Sequence, residues 1–61
     1  MILHAVRWKE AEDKSFIRSE FVVPEEAIAK AKELKEAGKH DVNIKLVDTR
    51  TDKFVGNLSL E

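Results

Sequence analysis

Apolar and polar residues alternate from the start of the chain. Ile2, Val6 and Trp8 fall on one side of a period-two pattern, with His4 among them, and Leu3, Ala5, Arg7 and Lys9 fall on the other. That pattern predicts a strand over Met1 to Ala11. Glu12-Asp13-Lys14 is a polar break suited to a turn, and Phe16 to Val23 reads as a second strand, rich in β-branched and aromatic residues. A Glu12-Asp13 loop pairs Trp8 with Ile17, Val6 with Ser19, His4 with Phe21 and Ile2 with Val23. The large members then share one face, an internal check on the register.

At Pro24 the period changes. Proline stops the strand and suits the first position of a helix, where its missing N–H is not needed. Glu25 and Glu26 follow in the first turn, where negative charge complements the helix dipole. Glu25 to Ala37 consists of strong helix formers with an apolar stripe of Ala27, Ile28, Ala31 and Leu34. Glu26 and Lys30 are spaced as an i,i+4 pair, and Gly38 marks the C-terminal stop. Asp41 to Val47 then predicts a third strand with Val42, Ile44 and Leu46 inward, and Phe54 to Leu60 a fourth. Asp48 to Asp52 reads as the connecting hairpin loop, with Asp48 capping backbone amides and Asp52 able to turn left-handed. A five-residue loop pairs Leu46 with Phe54, Ile44 with Gly56 and Val42 with Leu58. A four-residue loop would set Asn57 and Ser59 opposite Ile44 and Val42, so the longer loop is preferred.

These elements predict one α+β domain over residues 1–61, a two-layer ββαββ fold with the helix across one face of a four-stranded sheet. The first strand is apolar on both sides near its start, which suggests that strands one and four pair in parallel at the centre. The β-grasp arrangement of protein G and ubiquitin has this shape, and function does not travel with such an analogy. Glu26-Ala27-Ile28-Ala29-Lys30-Ala31 after a proline, and Val47-Asp48-Thr49-Arg50-Thr51-Asp52-Lys53-Phe54-Val55 with Asp52 where glycine is commoner, resemble patterns in small uncharacterised prokaryotic and phage ββαββ proteins. That resemblance implies no catalytic residues. A designed scaffold without biological function would share the ideal helix and short loops, whereas His4, Ser19 and Asn57 in strands look less idealised. Leu60-Glu61 matches what a cloning junction leaves before a purification tag.

Composition narrows the chemistry. The 61 residues carry 11 Lys+Arg against 12 Asp+Glu and no cysteine, which removes disulfides, a thiol nucleophile and cysteine-bound zinc. No apolar run approaches the ~20 residues of a membrane span, and no signal-peptide pattern opens the chain, so a cytoplasmic protein without a membrane partner is expected. His4 reads as a partly buried strand histidine bonded to backbone or water, and His40-Asp41 as a solvated turn rather than a base with its orienting group. No His/Asp/Glu spacing supplies three converging metal ligands, and Gly38 and Gly56 are isolated, so no phosphate loop forms. We expect no enzyme activity, no metal and no cofactor.

What remains is the sheet face opposite the helix. The registers place Leu3, Ala5, Arg7, Lys9, Phe16, Arg18, Glu20, Val22, Asn43, Lys45, Val47, Val55, Asn57 and Ser59 on it. Its charges are Arg7, Lys9, Arg18 and Lys45 against Glu20, so a formal net charge of −1 for the chain conceals a basic face. Three readings compete for it. One is a solvated sheet whose long cations cover apolar surface. The second is a protein-binding or homodimer surface anchored by Phe16, Val22, Val47 and Val55, with Arg7 and Arg18 at its rim. The third is weak nucleic-acid binding through Arg7, Lys9, Arg18 and Lys45, for which one aromatic, Phe16, is fewer than such sheets usually present. The protein partner is preferred. Trp8 belongs to the core on this register and would join the open face only if the first hairpin slipped by one residue. The unpaired strand edges offer a further route, β-augmentation.

Overall fold

The elements follow in the expected order in a computed structural model, which describes residues 1–58: β1 (Ile2–Lys9), β2 (Ile17–Phe21), α1 (Pro24–Glu36), β3 (His40–Asp48) and β4 (Lys53–Leu58). They form one four-stranded sheet with a single helix on one face, the α+β ββαββ arrangement. Ser59, Leu60 and Glu61 lie outside the described residues, and with them the expectations that named them.

Helix α1 begins and ends where its sequence directs. Val23 is the N-cap and offers no side-chain oxygen, so its carbonyl takes the first helical bonds, from the N–H groups of Glu26 (3.2 Å) and Ala27 (3.3 Å). At the other end Gly38 turns left-handed (φ 80°). Its N–H reaches the Lys35 carbonyl at 3.1 Å and that of Lys39 reaches Leu34 at 3.0 Å, the paired bonds of a Schellman cap. Ala27, Ala31 and Leu34 are buried, with Ile28 packed at the margin. Lys30 pairs with Glu33 at 3.9 Å rather than with Glu26.

All strand pairings are antiparallel, in the order β2-β1-β3-β4. The first hairpin has the expected register: His4 faces Phe21, Val6 faces Ser19 and Trp8 faces Ile17. Glu12-Asp13 form the turn, closed by the Lys14 N–H on the Ala11 carbonyl at 3.0 Å. Val23, assigned to β2 from the sequence, caps the helix instead of facing Ile2.

The centre of the sheet corrects the sequence reading. β1 pairs with β3, not in parallel with β4. The β-grasp strand order is therefore absent. The reason lies in β3 itself, which carries Val42, Ile44 and Leu46 on the helix side and Val47 on the other. A strand apolar on both faces belongs in the interior of a sheet, whereas β4, with Lys53, Gly56 and Asn57, tolerates an edge. Met1 extends the central pairing, its carbonyl accepting both the N–H and the hydroxyl of Thr49, each at 3.1 Å.

The second hairpin departs from the expected register as well. Asp48 faces Lys53 across the four residues Thr49 to Asp52, the shorter loop that parity had argued against. A bulge at Val55 restores parity: Val47 faces Phe54, but Leu46 faces Gly56 and Ile44 faces Leu58. Leu58 thereby reaches the core. The loop chemistry is as expected, with the Arg50 N–H on the Asp48 carboxylate at 2.9 Å and Asp52 at φ 55°. A second bulge sets Asp41 and Val42 opposite Trp8 alone, with Asp41 left-handed at φ 53°.

Between the layers lies a core of Val6, Trp8, Ala27, Ala31, Leu34 and Ile44, flanked by Phe21, Ile28, Val42 and Leu58. Two fully buried alanines bring the helix close to the sheet, and Trp8 fills the end of the space beneath it. The indole N–H of Trp8 donates to Glu10 at 3.4 Å, and Glu10 also receives the Lys39 ammonium. This clasp joins the loop after β1 to the helix C-terminus. The Lys39 bond chiefly, then the Trp8 bond, holds the Glu10 carboxyl below the usual carboxylate range.

Candidate functional site

The open face is built from the alternate residues of four strands. Cross-strand partners share a face, so the pairs Leu3–Val47, Ala5–Lys45, Ala5–Glu20, Arg7–Asn43, Arg7–Arg18 and Lys45–Asn57 all lie on it. Phe54 joins them as the partner of Val47, although the expected register had turned it inward against Leu46. This is the residue that sequence reasoning missed. A signal was present in Val47 itself, an apolar side chain in a central strand that needs an apolar neighbour over it.

Val47 was expected to be a binding anchor, and the structure removes it from the accessible surface. It is only 3% exposed, in a row with Leu3 and Phe54. Ala5 is fully buried on the same side, between Glu20 and Lys45 on its two neighbouring strands. The open face thus carries a thin second apolar layer of its own.

Arg7 organises the accessible part. It stands directly opposite Arg18, a like-charge pair that would repel if both side chains lay straight across the sheet. The two diverge. Arg18 approaches Glu20 at 3.7 Å, while the Arg7 guanidinium lies 4.3 Å from the centre of the Phe16 ring and 5.5 Å from that of Phe54. Lys9 approaches the same Phe16 ring at 4.9 Å and the Asp41 carboxylate at 3.5 Å. Cations held over aromatic faces gain about 0.5–1 kcal/mol each at exposed sites, enough to bias rotamers without burying the charge. Phe16 remains 40% exposed and Phe54 53%, so the stack is an accessible surface.

Of the other sequence-predicted residues, Val55 is exposed within its bulge and Val22 is exposed just past the end of β2. The structure brings Arg7, Lys9 and Phe16 together with Phe54, and sets Arg18 and Val22 towards the β2 edge. Lys45 stands between Ala5 and Asn57 in the middle of the sheet. His4 Nδ1 lies 3.3 Å from the Phe21 carbonyl oxygen, and the backbone of His40 pairs with that of Lys9 in the ladder. Asp41, the proposed neighbour of His40, turns to Lys9.

Among the described residues no three His, Asp or Glu side chains converge as a metal site requires, and no helix is long and apolar enough to cross a membrane. Set against protein-family models, curated proteins and solved structures, the chain matches none.

Proposed function

We propose that this chain works by binding rather than catalysis, as a small cytoplasmic accessory factor whose open sheet face takes an acidic surface of another protein. The observation that carries the reading is the Arg7 guanidinium resting on Phe16 with Phe54 beside it. Arginine and aromatic side chains dominate the energetics of protein interfaces because each presents a large area with directional or desolvatable contacts. Here they are positioned in advance by the sheet, which lowers the entropy lost on docking. The charges select the partner. Arg7, Lys9, Arg18 and Lys45 face outward against Glu20, with Asp41 at the margin on Lys9. That excess attracts carboxylates, and it opposes two copies of this face meeting each other.

Nucleic acid fits less well, even with a second aromatic on the face. Lys9 and Arg18 already pair with carboxylates, and a base stacking on Phe16 would have to displace Arg7. The test is selection of a displayed random-peptide library on the immobilised full chain, followed by amide shift mapping of a selected peptide. The expected result is enrichment of Asp and Glu among aliphatic residues, with shifts centred on Arg7, Phe16 and Phe54. Shifts on the helix would overturn the proposal. So would strongly salt-dependent binding of single-stranded DNA at ~50 mM salt with no peptide selected.

A further inference from the structure

The outer edge of β2 is self-complementary, and from it we infer that two copies of this chain pair antiparallel through β2, with Ser19 facing Ser19 of the second copy. β2 is an edge strand, so one row of its backbone groups has no partner in the sheet. The Thr49–Met1 bond fixes which row. It sets the odd-numbered residues of β1 in hydrogen-bonded pairs with β3, so His4, Val6 and Trp8 bond β2 through Phe21, Ser19 and Ile17. The N–H and C=O groups of Arg18 and Glu20 therefore point outward.

A two-fold axis at Ser19 matches each outward group with one of its own kind. Arg18 then faces Glu20 of the second copy and Glu20 faces its Arg18, both as hydrogen-bonded pairs. On the helix side Ile17 faces Phe21, and on the open side Phe16 faces Val22. Phe16, Ile17, Val22 and Val23, half of the large hydrophobic side chains exposed among the described residues, cluster at the two ends of this strand. Arg18 has a further reason to accept a second carboxylate, since its partner within the sheet is Arg7. A slip by two residues either way would set Arg18 against Arg18 or Glu20 against Glu20, so the charges specify one register. The product is a closed dimer with one continuous antiparallel sheet, both helices on one side and both basic faces on the other.

This inference is independent of the acidic partner, and sedimentation velocity with native mass spectrometry tests it. Wild type should show a concentration-dependent monomer–dimer equilibrium. Arg18→Glu and Glu20→Arg should each weaken it by about 30-fold, because two attractive cross-strand pairs become repulsive. Mixing the two variants should restore a dimer made of one copy of each, which also shows that both are folded. Lys45→Glu, away from the edge, should leave the equilibrium unchanged. A wild type that stays monomeric at ~1 mM, variants that dimerise as wild type does, or growth beyond the dimer would overturn it.

Discussion

Replacing Val47 by alanine separates a packed residue from a binding residue. Val47 is 3% exposed, although it lies on the sheet face that has no helix over it. The substitution removes two methyl groups, and at about 0.8 kcal/mol per buried carbon the transfer term is about 1.6 kcal/mol. The cavity term is small, because Phe54 above it is 53% exposed and can settle into the space. A loss of about 2 kcal/mol is expected. A chain of 61 residues has about 3–9 kcal/mol of stability in all, so this is a large fraction. The midpoint of thermal unfolding should fall by roughly 8–16 °C. Urea unfolding followed by tryptophan fluorescence measures it directly through Trp8, with Val55→Ala as an exposed control expected within ~0.5 kcal/mol of wild type. If Val47→Ala costs no more than that control, Val47 is a surface residue and the description of the open face as self-packed is wrong.

Other substitutions test the remaining parts of the structure. Ile44→Ala, at a central position 1% exposed, should cost about 3 kcal/mol and lower the thermal midpoint by roughly 12–24 °C by circular dichroism; a native-like melting curve would contradict the core assignment. Asp52→Gly should raise the urea midpoint, by about 0.5–1 kcal/mol of stability, since a left-handed backbone at φ 55° strains any side chain; a fall would mean that the Asp52 side chain contributes more than its backbone strain costs. The Glu10 carboxyl is held below its ordinary value by Lys39 and Trp8, so its contribution is present above the unfolded carboxylate pKa and is lost as pH falls through the lowered one. Glu10→Gln should therefore be less stable than wild type at neutral pH and converge with it in strong acid. A difference that persists at low pH would show that the clasp is not electrostatic.

The helix and the first hairpin were legible because local chemistry specifies them. Pro24, the Ala27–Leu34 stripe and Gly38 mark the helix, and only one register of β1 and β2 gathers Val6, Trp8, Ile17 and Phe21 on one side. The second hairpin was not, because alternation is a rule of parity and a single inserted residue reverses it. The bulge at Val55 does that, which is how Phe54 moved from the expected core to the open face. Asp41 beside Trp8 is a comparable case, since an aspartate at positive φ carries no pattern that distinguishes it from a turn residue. The central pairing, expected from β1 alone to join β1 and β4 in parallel, goes instead to β3, because the balance of apolar residues between β3 and β4 decides it. The basic character of the open face was visible from register counting, but the position of Arg7 over Phe16 and Phe54 depends on a bulge and a like-charge neighbour that sequence spacing does not reveal.

The Arg7 stack is where the functional account is most exposed to a single measurement. Titration calorimetry of a selected acidic peptide against wild type and Arg7→Ala should show affinity reduced tenfold or more, about 1.4 kcal/mol, with an unfolding midpoint close to that of wild type. Equal affinity for the two proteins would contradict recognition through the open face.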